Sequence, residues 1–194
     1  GDSLEAEKLY RQAIASDPLN SNSYLNLANM LFEQSKYASA KSVLMDSMVN
    51  LGKNLEALCA LAEILIREAN FSGAKEALDM ALEFKPQRKS FWFNYTFVLD
   101  QIGQRGEAIR SIETFASVAG PSLERPQVAD LQCIMGYMHL QSGNFLKGWE
   151  LIENRWDLDS PFFVPRFPLA RKWDGQRRDG MTLMVVDEQG FGDT

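Results

Sequence analysis

The sequence predicts an all-α fold, a superhelical solenoid of antiparallel helix pairs followed by a short non-helical C-terminal tail. Three observations carry that prediction. Apolar residues of matching size recur every 34 residues, each unit closes on Pro or Gly, and helical periodicity stops after Trp156. Recurrence at this spacing means stacked supersecondary units, because one helix pair cannot bury its apolar stripe alone.

The pattern is clearest in residues 55–88, where Leu58, Leu61, Ala62, Leu65, Phe71, Ala74, Leu78, Ala81 and Pro86 mark the repeat. One period downstream the same places hold Trp92, Tyr95, Thr96, Leu99, Arg105, Ala108, Ile112, Phe115 and Gly120. One period upstream they hold Tyr24, Leu27, Ala28, Leu31, Tyr37, Ala40, Leu44, Ser47 and Gly52. Ala6, Tyr10, Ala13 and Pro18 repeat the second half alone. A last unit carries Gly136, Gly143, Phe145 and Gly148, displaced by six extra residues, 123–128, that include Pro126 and lengthen the preceding connection. The organisation predicted is a half repeat at 1–20 and whole repeats at 21–54, 55–88, 89–122 and 129–157. Each whole unit reads as a first helix, a tight turn, a second helix and a break. The small residues Ala28, Ala62, Ala40, Ala74 and Ala108 stand where the two helices cross, since close approach needs little side-chain volume.

With its period, its small crossing residues and its terminal breaks, the region from residue 1 to about 157 resembles the tetratricopeptide repeat. The resemblance implies a right-handed superhelix with a concave face. Opening on a second helix without a polar cap suggests that more repeats precede Gly1. The missing initiator Met suggests a processed tag or an excised fragment.

Composition narrows the function classes. Hydrophobic residues make up 45% and charged residues 24%, ordinary for a globular chain and too apolar for disorder over most of its length. Lys and Arg number 20 against 26 Asp and Glu, a net charge of −6, which argues against general nucleic-acid binding. Met181–Val186, the longest strongly apolar run, is too short to span a bilayer, and the charged N-terminus carries no signal-peptide core. Two cysteines cannot build a disulfide framework and point to a reducing, cytoplasmic compartment. No metal site and no cofactor is expected. His139, the single histidine, sits at a helix packing position and is expected to be buried, while Cys59 and Cys133 belong to different repeats.

After Trp156 the chain changes character. Pro161, Pro165 and Pro168 exclude a continuous helix, yet Phe162, Phe163, Val164, Phe167 and Trp173 need somewhere to pack. Residues 158–180 therefore read as an extended strap. Residues 181–194 read as a buried strand, Met181–Val186, entering a Gly-rich loop, and this exposed edge invites self-association through the tail. The succession Gly148-Trp149-Glu150, Arg155-Trp156, Trp173-Asp174-Gly175 and Glu188-Gln189-Gly190-Phe191-Gly192-Asp193 resembles bacterial proteins that fuse tetratricopeptide repeats to a heptosyltransferase-like glycosyltransferase of GT-B fold. What the resemblance implies is a nucleotide-sugar loop at Gly190 and Gly192 and a base at Asp193. It also implies that residues 181–194 begin a truncated α/β domain, and that the parent's own glycosyltransferase domain is a partner. The donor half is missing, so no catalysis is expected of this segment.

The repeats point elsewhere, to a protein-interaction scaffold. In the family the chain resembles, fixed positions of each first helix face the groove, and a peptide or partner domain binds there. Here those positions give Asn22, Asn26, Asn29 and Glu33, then Glu63 and Arg67. They continue with Phe93, Asn94, Phe97 and Gln101, and end on Tyr137 and Gln141. Asn26 and Asn94 resemble the asparagine ladder of O-linked N-acetylglucosamine transferase repeats, in which an amide offers a peptide backbone both donor and acceptor. Ala60 and Ile134 interrupt that ladder, leaving a mixed groove with Phe93, Phe97 and Tyr137 as anchors.

Overall fold

The computed structural model describes residues 2–119 and 123–159, together with 176, 179, 180 and 182. Among them the chain is all-helical: α1 (Asp2–Ser16), α2 (Ser21–Glu33), α3 (Tyr37–Leu51), α4 (Leu55–Arg67), α5 (Phe71–Leu82), α6 (Lys89–Gln101), α7 (Arg105–Ala119), α8 (Arg125–Gln141) and α9 (Phe145–Ile152), closed by a 3-10 turn at Glu153–Asp157. The strap's proline and aromatic residues, the Met181–Val186 run, and Gly190, Gly192 and Asp193 lie outside the described residues. The chain divides into two compact units, Gly1–Ala119 and Gly120–Thr194.

In the first unit each helix packs on its chain neighbours, and α2, α4 and α6 also touch in succession. The first helices of the pairs thus form one wall. What lets the helices approach is the absence of side chain at their crossings. Ala28 and Ala40, Ala62 and Ala74, and Ala108 are all buried, as the period predicts. Around them Tyr24, Leu27, Leu31, Leu44, Leu58, Leu78, Leu99, Ile112 and Phe115 fill the core. In the third pair Thr96 replaces the crossing alanine. Its hydroxyl lies 2.6 Å from that of Ser111, which itself donates to the Ala108 carbonyl. The Ser111 proton is therefore committed, and Thr96 donates to Ser111. Such pairing keeps a buried hydroxyl from the cost of an unmade bond. Ser47 lacks that compensation: its buried Oγ has no hydrogen-bond partner, at the place where the next repeat has Ala81.

Turn chemistry is repeated with the same fidelity. After the first helix of every pair one residue is left-handed: Ser35 (φ 58°), Ala69 (φ 55°), Gly103 (φ 80°) and Gly143 (φ 80°). The following amide reaches back to close the helix, as Lys36 to Leu31, Asn70 to Leu65, Gln104 to Leu99 and Asn144 to His139. The left-handed residue's own N–H bonds a carbonyl three residues earlier, completing a Schellman closure. Asn20, Asn54 and Asn70 then cap the next helices through their side-chain oxygens. Trp92 Nε1 donates to the Pro86 carbonyl at 3.0 Å, tying the break before α6 to its first turn.

In the second unit α8 packs on α9 and on the 3-10 turn. Both crossing positions are glycine. A Cβ on Gly136 would come within 3.0 Å of the Gly148 carbonyl, and one on Gly148 within 2.5 Å of Leu140 Cδ2. The six extra residues do not simply lengthen the loop. Four of them, 125–128, form the first turn of α8, with Pro126 where a missing N–H has no helical partner to lose. The Glu124 N–H donates to Gln127 Oε1 at 2.9 Å and fixes that start.

Two stability measurements follow. Gly148→Ala should destabilise the chain by about 1–3 kcal/mol through overpacking against Leu140 and the Gly136 carbonyl. Gly106→Ala, whose Cβ would meet only Arg110 at 3.6 Å, should be neutral or mildly stabilising. Equal melting curves for the two would show that α8 and α9 do not cross at glycine. Ala69→Gly should stabilise by roughly 0.5–1 kcal/mol, because relief of the left-handed penalty exceeds glycine's added unfolded-state entropy. A lowered midpoint in urea would contradict the left-handed turn.

Candidate interaction groove

The helix period that buries Leu27, Leu58 and Leu61 turns the intervening positions of α2, α4 and α6 outward. Asn22, Asn26, Asn29 and Glu33 are exposed along α2, Glu63 and Arg67 along α4, and Phe97 and Gln101 along α6, with Phe93 and Asn94 half-buried. Phe97 is 44% exposed and meets Phe71 edge-on at 5.9 Å, so the ring is held at one edge and open at the other. Arg67 lies over the Phe32 ring at 5.8 Å, and Lys89 over Phe93 at 4.6 Å. The first contact links α4 to α2, while the second lies within α6 and holds its long side chain in place. Tyr137, 53% exposed, and Gln141, also exposed, belong to the second unit.

Between α2, α4 and α6 the wall dips into a pocket of about 230 Å³. Asn29, Glu63 and Asn94, three residues singled out from sequence, line it together with Cys59, Glu56 and Arg88. The Asn94 side chain hydrogen-bonds the Glu63 carboxylate. Desolvation in the pocket raises that carboxyl's pKa, while the Asn94 bond and then the nearby Arg67 charge pull it back. At Cys59 burial is the main cause, with Glu63 and Glu56 adding to it, and the thiol is pushed up to about 11. A thiol held that high carries little thiolate near neutral pH, which suits a wall of the pocket better than a nucleophile.

Sequence reasoning missed Arg88, Pro86 and Phe91. They precede or begin α6, off the spacing that marks groove positions, and reach the pocket only because the break after α5 folds back under Trp92. His139 is half-buried, not enclosed in the core as expected, since the last turn of α8 leaves one side of it open. Gly148 of the transferase-like string is accounted for by the helix crossing. Its neighbour Trp149 is 61% exposed beside Phe145 and Leu146 on α9. Among the described residues no cluster of three His, Cys, Asp or Glu could hold a metal, and no helix is long and apolar enough to cross a membrane.

The thiol environment has a direct measurement. In a Cys133→Ala background, alkylation of Cys59 by iodoacetamide should be at least tenfold slower than that of free cysteine at pH 8. Its rate should still climb about tenfold per pH unit between pH 8 and 10, because the thiolate fraction grows with pH below a pKa near 11. A rate that levels off by pH 9 would refute the burial argument.

Comparison with known proteins bears on the fold. The family model "Tetratricopeptide repeat" matches residues 9–42. Protein FlbA of Caulobacter vibrioides is 30% identical over 190 residues, which is 95% of this chain, and the chain spans 30% of FlbA's length. The crystal structure of MamA superposes with a TM-score of 0.67 at 19% identity, over 79% of this chain and 86% of MamA. YrrB, described as a TPR protein with an unusual peptide-binding site, superposes with a TM-score of 0.66 at 18% identity, over 81% of this chain and 78% of YrrB. Residues 9–42 are thus similar to the tetratricopeptide repeat, and the described helices have the fold of the tetratricopeptide-repeat solenoid.

Proposed function

We propose that this chain is a protein-interaction scaffold that holds a peptide or a partner domain against the wall formed by α2, α4 and α6, and that the segment has no catalytic role of its own. One observation carries the reading. Asn26, Asn29, Asn94, Phe97 and Arg67 stand exposed or half-exposed on touching helices around a pocket, and the contacts of Asn94, Phe97 and Arg67 within the wall leave part of each open to solvent. Amides suit an extended backbone, and a half-held aromatic ring suits an apolar anchor. YrrB's peptide-binding site lends the fold a precedent.

The repeat boundaries 21–54, 55–88, 89–122 and 129–157, with a half repeat at 1–20, belong to the same proposal, as do Tyr137 and Gln141 as groove residues of the last repeat. The acidic balance, the two free cysteines and the bacterial relative support a bacterial cytoplasmic setting. A glycosyltransferase parent, with its catalytic domain as partner and Gly190, Gly192 and Asp193 at its cleft, is not favoured: the family match lies at 9–42 and the similar structures share a helical fold. Self-association is a second reading, supported by the exposed apolar stripe of Phe145, Leu146 and Trp149 on α9.

Peptides selected on the full chain from a random linear library provide the assay. Asn26→Ala with Phe97→Ala should weaken them at least tenfold by fluorescence anisotropy while helicity stays intact. Reversing an outer-face charge, Glu76→Lys or Glu113→Lys, should leave binding within a factor of two. Greater loss from the outer-face changes would remove the groove as the site.

A further inference from the structure

The pocket in the groove wall is more selective than backbone capture requires. Glu56 and Glu63 stand two turns apart on one face of α4, with Cys59 between them, and all three line the cavity. Both carboxylates act electrostatically on the Cys59 thiol, and so does Arg88 from the opposite end. Glu63 is held by the Asn94 amide and sits within reach of Arg67, while Glu56 makes no ion pair among the described residues. Apart from the polar Asn29 and Ser90, the rest of the lining is apolar: Leu25, Leu55, Ala60, Leu78, Pro86 and Phe91. A volume of about 230 Å³ admits one long side chain and excludes a helix or a domain edge.

We infer that this pocket is the specificity subsite of the groove and takes one Lys or Arg side chain of an extended peptide. Methylenes of that side chain lie against Leu25, Ala60 and Phe91, and its cation is received by Glu56 and Glu63. Charge decides among the alternatives. Within the lining two carboxylates face one guanidinium, Arg88, so an acidic side chain finds no surplus cation there, and Arg67, which acts on Glu63, lies outside the lining. A wholly apolar one would desolvate both carboxylates and return no hydrogen bond. A basic side chain has an apolar stem and a charged head, matching floor and rim at once. The inference rests on the peptide-groove reading and sharpens it.

The same random linear library, panned on the full chain, tests it, with the isosteric pair Glu56→Gln and Glu63→Gln as the variant and circular dichroism as the folding control. Enriched peptides should share Lys or Arg at one position. Replacing that residue by Gln should weaken binding at least tenfold to the unsubstituted chain and less than twofold to the Gln variant. Enriched peptides that lack a basic residue, yet are weakened by Asn26→Ala with Phe97→Ala, would overturn this inference and leave the groove standing. Absence of enrichment, or binding indifferent to every groove substitution, would overturn both.

Discussion

Everything in this protein depends on the near-contact of two helix backbones within each pair. Where the first and second helices pack, the buried small residues carry a methyl, a small hydroxyl or nothing: Ala28 and Ala40, Ala62 and Ala74, Thr96 and Ala108, and Gly136 against Gly148. Close approach lets the larger residues on either side interdigitate, and their burial supplies the apolar free energy of the fold. A wider crossing would leave voids along the stack and dissolve the wall that α2, α4 and α6 form. The last pair carries this furthest, with two glycines and carbonyl oxygens where other pairs have methyl groups.

The turns make that crossing reproducible. A left-handed residue after each first helix reverses the chain within a few residues, so the second helix returns antiparallel at a fixed angle. Gly103 and Gly143 adopt that conformation freely, whereas Ser35 and Ala69 hold it under strain that the six-to-one and five-to-two hydrogen bonds and the flanking core sustain. Asparagine caps at 20, 54 and 70 satisfy amides that the breaks between helices would leave open. Local chemistry at the corners thus fixes how the second helix of each pair returns against the first.

A groove results because the buried stripe uses only part of each first helix. What faces outward is constrained by geometry but not by stability, so its composition is free to serve binding. The wall mixes amides at 26, 29 and 94, rings at 93 and 97, and opposite charges at 63 and 67. It has no single apolar patch, which fits recognition of a polar, extended chain better than the edge of another core.

The sequence by itself determined the fold class and the helix pairs, because the 34-residue period is imposed by burial: each of Leu27, Leu58, Leu78 and Ile112 must face inward in every copy, and a periodic demand leaves a periodic record. Which positions of the first helices face a groove came only from the family resemblance, and the helical period adds that a face opposite the buried stripe is left open. The sequence did not determine that residues 125–128 would extend α8, because Pro126 reads equally as a loop breaker and as a first-turn residue until its neighbours are placed. Nor did it determine the pocket. Arg88, from the far end of the same repeat, and Phe91, from the next one, join Cys59 and Glu63 in the pocket only through the fold-back between α5 and α6, which the helix period does not encode. Periodic burial is written locally and can be read along the chain, whereas a concave site is written in the distances between units, and those exist only once the units have stacked.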